Sequence, residues 1–403
     1  MDLTPLRHRD YRLLFAAQLV SFLGSMVTYV ALPYQVYALT HSSLAVGLLG
    51  LAELGPLLLT AFLGGALADA VDRRAMVLWT EVGLSLGSGL LMVNALLRQP
   101  HVWPLYLAAG LMSALSGLQR PSLDSLTPRL VEKAEIPAAA SLSVFRGSLC
   151  MVAGPAVGGF LIGSFGVAYA YGADVVSYAT SLLCFRLIRA IPPPEGAEPP
   201  SLRAILDGFR YAGSRQELLG TYVVDFVAMV FGMPMALFPA IAEGLGGVGA
   251  LGPLYAAPAA GALAASLTTR WSPRVKRHGF AVMLAAATWG LAIVAFGFAR
   301  SLRPAFLLLA AAGWADAVSG IFRSTLWNTT IPDAMRGRLA GIEMVSYMSG
   351  PLLGHAEAGV VAALFGVQAS VVSGGVLCVA GVFVCGAILP GLVTYDARRA
   401  ALE

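Results

Sequence analysis

An all-α integral membrane fold, with twelve transmembrane helices as two pseudo-symmetric six-helix bundles, is predicted by three features of the 403-residue sequence. Hydrophobic residues make up 58% of the chain and charged residues 12%, against roughly 25% charged in an ordinary soluble domain. The basic residues fall at intervals between long apolar runs, and two sequence patterns of the first half recur in the second. A soluble chain of this length lacks the polar side chains to cover its surface. The 45 Gly and 23 Pro are tolerated in membrane helices, where small residues let backbones approach and neighbours re-satisfy broken hydrogen bonds.

A membrane helix needs about 20 mainly apolar residues. Segments of that kind lie near 12–39, 43–68, 75–97, 102–128, 138–163 and 167–189, then near 216–242, 248–270, 279–299, 303–330, 339–364 and 368–394. The first apolar stretch, after MDLTPLRHRDYRLL, runs on to transmembrane length and is not read as a cleavable signal. Two bundles, 1–190 and 215–403, are therefore expected around a linker at 191–214. IPPPEGAEPP in that linker cannot be helical, and Ser201 to Tyr211 reads as a short amphipathic helix on the membrane surface.

Lys and Arg set the orientation. With a cytoplasmic N-terminus, 20 of the 26 basic residues fall in inner segments and only Arg98, Arg300 and Arg303 in outer loops. Both termini are thus expected in the cytoplasm of a multi-pass cell-membrane protein. Ser116-Gly117 to Arg120 at the end of the fourth span recurs as Ser319-Gly320 to Arg323 at the end of the tenth. Gly154-Pro155-x-x-Gly158 in the fifth span recurs as Gly350-Pro351-x-x-Gly354 in the eleventh. A parallel duplication of this kind places a substrate site near the midplane between the halves.

The turn between the second and third spans carries Gly65, Asp69, Arg73 and Arg74, which match the Gly-x-x-x-Asp-Arg-x-Gly-Arg-Arg loop of the major facilitator superfamily; Ala70 and Asp72 depart from it. Gly154, Pro155, Gly158 and Gly159 resemble the bending element of exporters in that superfamily, with Cys150 where a further glycine is usual. LRHRDYRLLFAAQLV at the start and IPDAMRGRLAGI in the second half extend the likeness along most of the chain. The sequence thus resembles the enterobactin-exporter and macrolide-efflux branch of the superfamily. The resemblance implies alternating access, a cytoplasmic latch of Asp69, Arg73 and Arg74 reaching Asp124, and export of an amphipathic compound such as a drug or siderophore.

Charges deep in a bilayer cost about 2.5–3.5 kcal/mol on insertion scales and need a reason. Glu53, Asp225 and Asp316 lie nearest the estimated midplane, with Arg146, His355 and Glu357 further along their spans. A carboxyl group that couples protons must change protonation in the physiological range, which an apolar surrounding permits. Glu53 is the first choice, because its neighbours are apolar and Pro56 opens the helix beside it; for each of the three carboxylates a static buried pair, for instance with Arg146, is the plainer alternative. Arg120, Asp124 and Arg323 are read as cytoplasmic-end residues. Tyr29, Tyr34, Phe226 and Met229 are candidates for lining an adaptable cavity.

Uptake or flipping of a metabolite or lipid is the alternative on the same fold. A membrane enzyme is disfavoured, since no HExxH or phosphate-cradling GxxxxGK[ST] pattern occurs. Cys150, Cys184, Cys378 and Cys385 sit in apolar runs without metal-ligand spacing. No cofactor, metal or nucleic-acid partner is expected. The expected partners are a small substrate, protons and the bilayer, with the protein acting as a monomer.

Overall fold

A computed structural model describes residues 2–70, 72–189 and 210–396, except the side chains of 61–70, 333–334, 336–338 and 340–345. The helices of the first half are α1 (Arg9–Thr40), α2 (Ser43–Ala70), α3 (Arg73–Leu96), α4 (Trp103–Leu130), α5 (Ile136–Phe165) and α6 (Val167–Leu187). Those of the second half are α7 (Gln216–Phe231), α8 (Phe238–Leu245), α9 (Leu251–Thr268), α10 (His278–Phe296), α11 (Leu302–Thr330), α12 (Asp333–Phe365), α13 (Val367–Ile388) and α14 (Pro390–Thr394). No strand occurs among the described residues.

Nine helical segments among the described residues are long and apolar enough to cross a membrane. The helices α4, α6 and α12 have span length but fall outside that set. Each carries polar groups: Arg120, Asp124 and Arg129 on α4, Asp174 with Ser177, Thr180 and Ser181 on α6, His355 and Glu357 on α12. Trp79, Leu59 and Phe160 are 77%, 70% and 64% exposed. Apolar exposure of this extent would be an aggregation patch in water and is the normal surface in hydrocarbon.

Two expected spans are each broken into two helices. The seventh runs as one helix only to Phe231, and a 3-10 turn over Pro234–Leu237 precedes α8. Pro234 has no N–H to donate and drives Met233 out of the α region, to ψ 87°. The Trp289 Nε1–H donates to the Gly232 carbonyl at 2.9 Å and satisfies a backbone group at the break. The last span ends at Ile388, because Pro390 restarts the chain as the short α14. The twelfth expected element is thus shorter than 368–394. The IPPPEGAEPP stretch and the surface helix read from Ser201 fall outside the described residues as far as residue 209.

The chain forms two compact units. One comprises Met1–His41, Leu51–Pro200 and Val248–Ala256, the other Ser42–Gly50, Ser201–Gly247 and Ala257–Glu403. They depart from a cut at the linker in two short pieces, the start of α2 and the start of α9. Internal packing repeats. In the first unit α1 packs on α5 and α6, and α3 on α4 and α6. In the second, α7 packs on α12 and α13, and α10 on α11 and α13.

Glycines make these approaches possible. A side chain at Gly154 or Gly158 of α5 would strike α1 at Met26 or Val27, and one at Gly350 or Gly354 of α12 would strike α7 at Met229. Gly110 of α4 faces the Ala52 carbonyl of α2, and its repeat counterpart Gly313 of α11 faces the Pro258 carbonyl of α9. The recurrence of contacts at matching positions is what a duplicated six-helix unit produces.

Candidate functional site

The second unit holds an ionic cluster. Asp225 on α7 pairs with the Arg323 guanidinium on α11, and the Asp316 carboxylate of α11 lies 3.6 Å from the same group. Arg323 and Asp225 side chains are 10% and 13% exposed, that of Asp316 55%. Asp316 and Arg323 are seven residues apart and share a helix face, so one guanidinium serves a carboxylate on its own helix and another on α7. Arg323, expected towards the cytoplasmic end of its span, lies in the last third of α11 and is buried and paired, as a charge taken out of water must be. The suggested ion pair of these carboxylates with Arg146 is also replaced, since Arg146 on α5 donates to Gln18 on α1.

Glu53 on α2 is half-buried. Its backbone carbonyl accepts from the Ser113 hydroxyl at 3.0 Å, and no ion pair or hydrogen bond to its carboxylate occurs among the described residues. His355 on α12 lies against Gly50, and its buried Nε2 has no hydrogen-bond partner. Glu357 is half-buried two residues further on.

At the turn between α2 and α3, Asp72 caps α3 by accepting from the Ala75 N–H at 3.0 Å. This role explains an acid where the superfamily loop usually has glycine. Arg73 is buried, and Arg74 donates to the Phe185 and Arg186 carbonyls at 2.9 and 2.7 Å, closing the C-terminal end of α6. Gly65 and Asp69 are on the last turns of α2, where side chains are outside the described set. Asp124 is exposed on α4, facing Arg120 and Arg146. Gly159 touches Gly252 of α9, and Pro155 and Pro351 lie inside α5 and α12.

Of the aromatic and Met candidates, Tyr29 is 36% exposed and meets Tyr255 edge-on at 5.5 Å. Tyr34 and Phe226 are half-buried. Met229 fills the space beside Gly350 and Gly354.

Two carboxylates escaped the sequence reading. Glu81 on α3 is 2% exposed and Asp174 on α6 is 0% exposed. Glu81 accepts from the Ser21 hydroxyl at 3.2 Å and the Gln119 amide at 3.1 Å. Asp174 accepts from the Thr28 and Ser88 hydroxyls at 2.6 and 2.7 Å. The signal was present as polar residues at helical spacing on three apolar spans, and a search for single deep charges passes over it.

A family model described as transmembrane secretion effector matches residues 1–397. The Enterobactin exporter EntS of Shigella boydii serotype 18 is 30% identical over 399 residues, which cover 97% of this chain and 93% of that protein. The protein of the same name from Escherichia coli O81 gives the same identity and coverage. Among solved structures, a bacterial homologue of the human lysosomal transporter Spinster, in an inward-facing and unoccupied conformation, superposes with a TM-score of 0.72 at 16% identity, covering 98% of each chain. The nucleoside transporter NupG gives 0.73 at 13% identity, over 95% of this chain and 100% of its own. At such identities the structures speak for the fold alone.

Proposed function

Since the chain belongs to the transmembrane secretion effector family of the major facilitator superfamily, matched over residues 1–397, we propose that it is a proton-coupled exporter of siderophore-like or drug-like amphipathic compounds. It is a multi-pass membrane transporter and not an enzyme. The proposed orientation has both termini in the cytoplasm, from the distribution of basic residues, and the proposed working form is a monomer. In this reading the protein works by alternating access.

The observation that carries proton coupling is the Asp225–Arg323–Asp316 cluster. A buried guanidinium holds a carboxylate of α7 and one of its own helix. Protonating Asp225 cancels one attraction and frees Arg323 to settle on Asp316, so a proton changes how α7 is held to α11. Glu53 is the companion site in the first unit, a carboxylate in a membrane helix with no counter-ion among the described residues. The siderophore class is drawn from the relatives named above, which match nearly the whole chain.

The test is efflux of entrapped enterobactin from right-side-out proteoliposomes whose external medium is acidified. Parent protein is expected to respond to the gradient, and Glu53→Gln to fall to the level of protein-free vesicles while still binding substrate, because the amide imitates the protonated acid. A parent-like response from Glu53→Gln moves the coupling role to Asp225 or Asp316. Gradient-independent efflux by the parent itself ends the antiport mechanism.

A further inference from the structure

A polar seam crosses the apolar interior of the first unit. Ser21, Ser25 and Thr28 are spaced i, i+4, i+7 on α1; Glu81 and Ser88 are i, i+7 on α3; Asp174, Ser177, Tyr178 and Ser181 are i, i+3, i+4, i+7 on α6. Each set occupies one helix face, and α6 packs on both α1 and α3. The three faces are joined by hydrogen bonds: Ser21 to Glu81, Thr28 and Ser88 to Asp174, and Ser25 to the Tyr178 hydroxyl at 2.9 Å. Gln119 adds α4 through Glu81.

Two acids therefore share one buried cluster, joined through the α1 hydroxyls of Ser21 and Thr28. The groups facing Glu81 are Ser21 on α1, Gln119 on α4, and Asp174, Tyr178 and Ser181 on α6. No Lys, Arg or His forms an ion pair with either acid among the described residues. An isolated buried carboxylate costs several kcal/mol even after relaxation, so two charges here without a cation are untenable and at least one acid is neutral. The donor supply says which. One Asp174 oxygen receives two short hydroxyl bonds, and the Ser177 hydroxyl stands 3.2 Å from the other. Glu81 receives two longer bonds on one oxygen, and its Oε2 is buried without a partner. The Ser181 hydroxyl neighbours the same carboxyl group and is likewise buried without a partner. A proton on Oε2 donated to Ser181 Oγ satisfies both, and unlike a Ser181 hydroxyl donated to an ionised Oε2 it keeps a second charge out of the seam.

We propose that Glu81 is a proton-binding site of the first unit, holding its proton against Ser181 while Asp174 keeps the negative charge among hydroxyl donors. The site lies on different helices from the Asp225–Arg323–Asp316 cluster. Losing the proton places two charges in the seam and loosens the packing of α1 on α6 and of α3 on both α4 and α6. This deepens the proton-coupled reading and rests on it for its role in transport, though the protonated acid itself does not. The plainer account is fixed polar glue between membrane helices, and the test separates the two.

Purified full-length protein is to be followed by infrared difference spectroscopy on deprotonation, with melting temperature measured across the same buffers. The parent is expected to show a protonated-carboxyl carbonyl band that is lost on alkalinisation together with several degrees of melting temperature. Glu81→Gln, whose amide donates to Ser181 as the proton does, is expected to lose the component of that band assigned to Glu81 together with the alkaline fall; Glu53→Gln is expected to lose only its own component and to keep the fall. Ser181→Ala removes the acceptor and is expected to shift the band. An unchanged band and parallel melting profile in Glu81→Gln, or an unshifted band in Ser181→Ala, overturns the site. Gradient-independent efflux with a band lost in Glu81→Gln ends proton coupling and leaves the site; gradient-driven efflux with an unchanged band does the reverse.

Discussion

Arg323→Gln is expected to abolish transport and to cost most of the folded protein. Removing one partner of a buried ion pair strands the other, a loss of about 3–5 kcal/mol. Asp225 is the residue stranded, since its side chain is 13% exposed, whereas Asp316 at 55% reaches a more open setting. Asp225→Asn alone leaves Arg323 with the Asp316 carboxylate at 3.6 Å and is expected to be milder. The double variant Asp225→Asn/Arg323→Gln removes both charges and is expected to recover the melting temperature without recovering efflux. Arg323→Lys keeps the charge but not the fork that spans two acceptors, so its stability is expected to be intermediate. Melting curves on purified variants and vesicle efflux check the set. An Arg323→Gln protein that melts and transports like the parent removes the cluster from the mechanism.

Gly313→Val is expected to be the most damaging change among the glycine contacts. A Cβ at Gly313 collides with the Pro258 carbonyl, and one at Gly261 with the Ala310 carbonyl and the Trp314 N–H. Each helix therefore presents a glycine to the other's backbone, and backbone cannot swing aside as a side chain does. Overpacking typically costs about 1–3 kcal/mol, and a β-branched residue here belongs at the upper end. Gly110→Ala in the first unit is expected to be gentler, because its Cβ would stand 3.0 Å from the Ala52 carbonyl. Gly89→Ala meets nothing within 4 Å and gains helix propensity of about 1 kcal/mol. Monodispersity by size-exclusion chromatography is expected to fall in the order Gly89→Ala, Gly110→Ala, Gly313→Val. A well-behaved Gly313→Val would show that α9 and α11 separate easily.

Most helices were legible because length and apolarity decide them in a membrane. The two breaks were less so: a proline in an apolar run signals either a tolerated kink, as at Pro155, or an end, as at Pro234 and Pro390. What decides is whether neighbours can rescue the freed backbone groups. The duplication was legible too, and Gly154 and Gly350 perform the same task in each unit. The pairing of charges was not. Arg120 and Arg323 occupy matching repeat positions, yet Arg120 is exposed and Arg323 buried. The repeat position of Asp316 holds Ser113, so the first unit lacks an acid there to draw an arginine inward. Glu81 and Asp174 were missed because their partners are hydroxyls and an amide from three other helices. Such an assembly has no signature in any single span.

The broken seventh span carries its own optical probe. Trp289 is 7% exposed and donates to the carbonyl of Gly232, at the point where α7 gives way to the 3-10 turn. Any swing of α8 about that joint stretches the hydrogen bond and alters the polarity felt by the indole. With six tryptophans in the chain, a variant keeping only Trp289 would report the bending of this span as a change in emission wavelength. Joint angle would then be followed in real time during turnover, with no label attached.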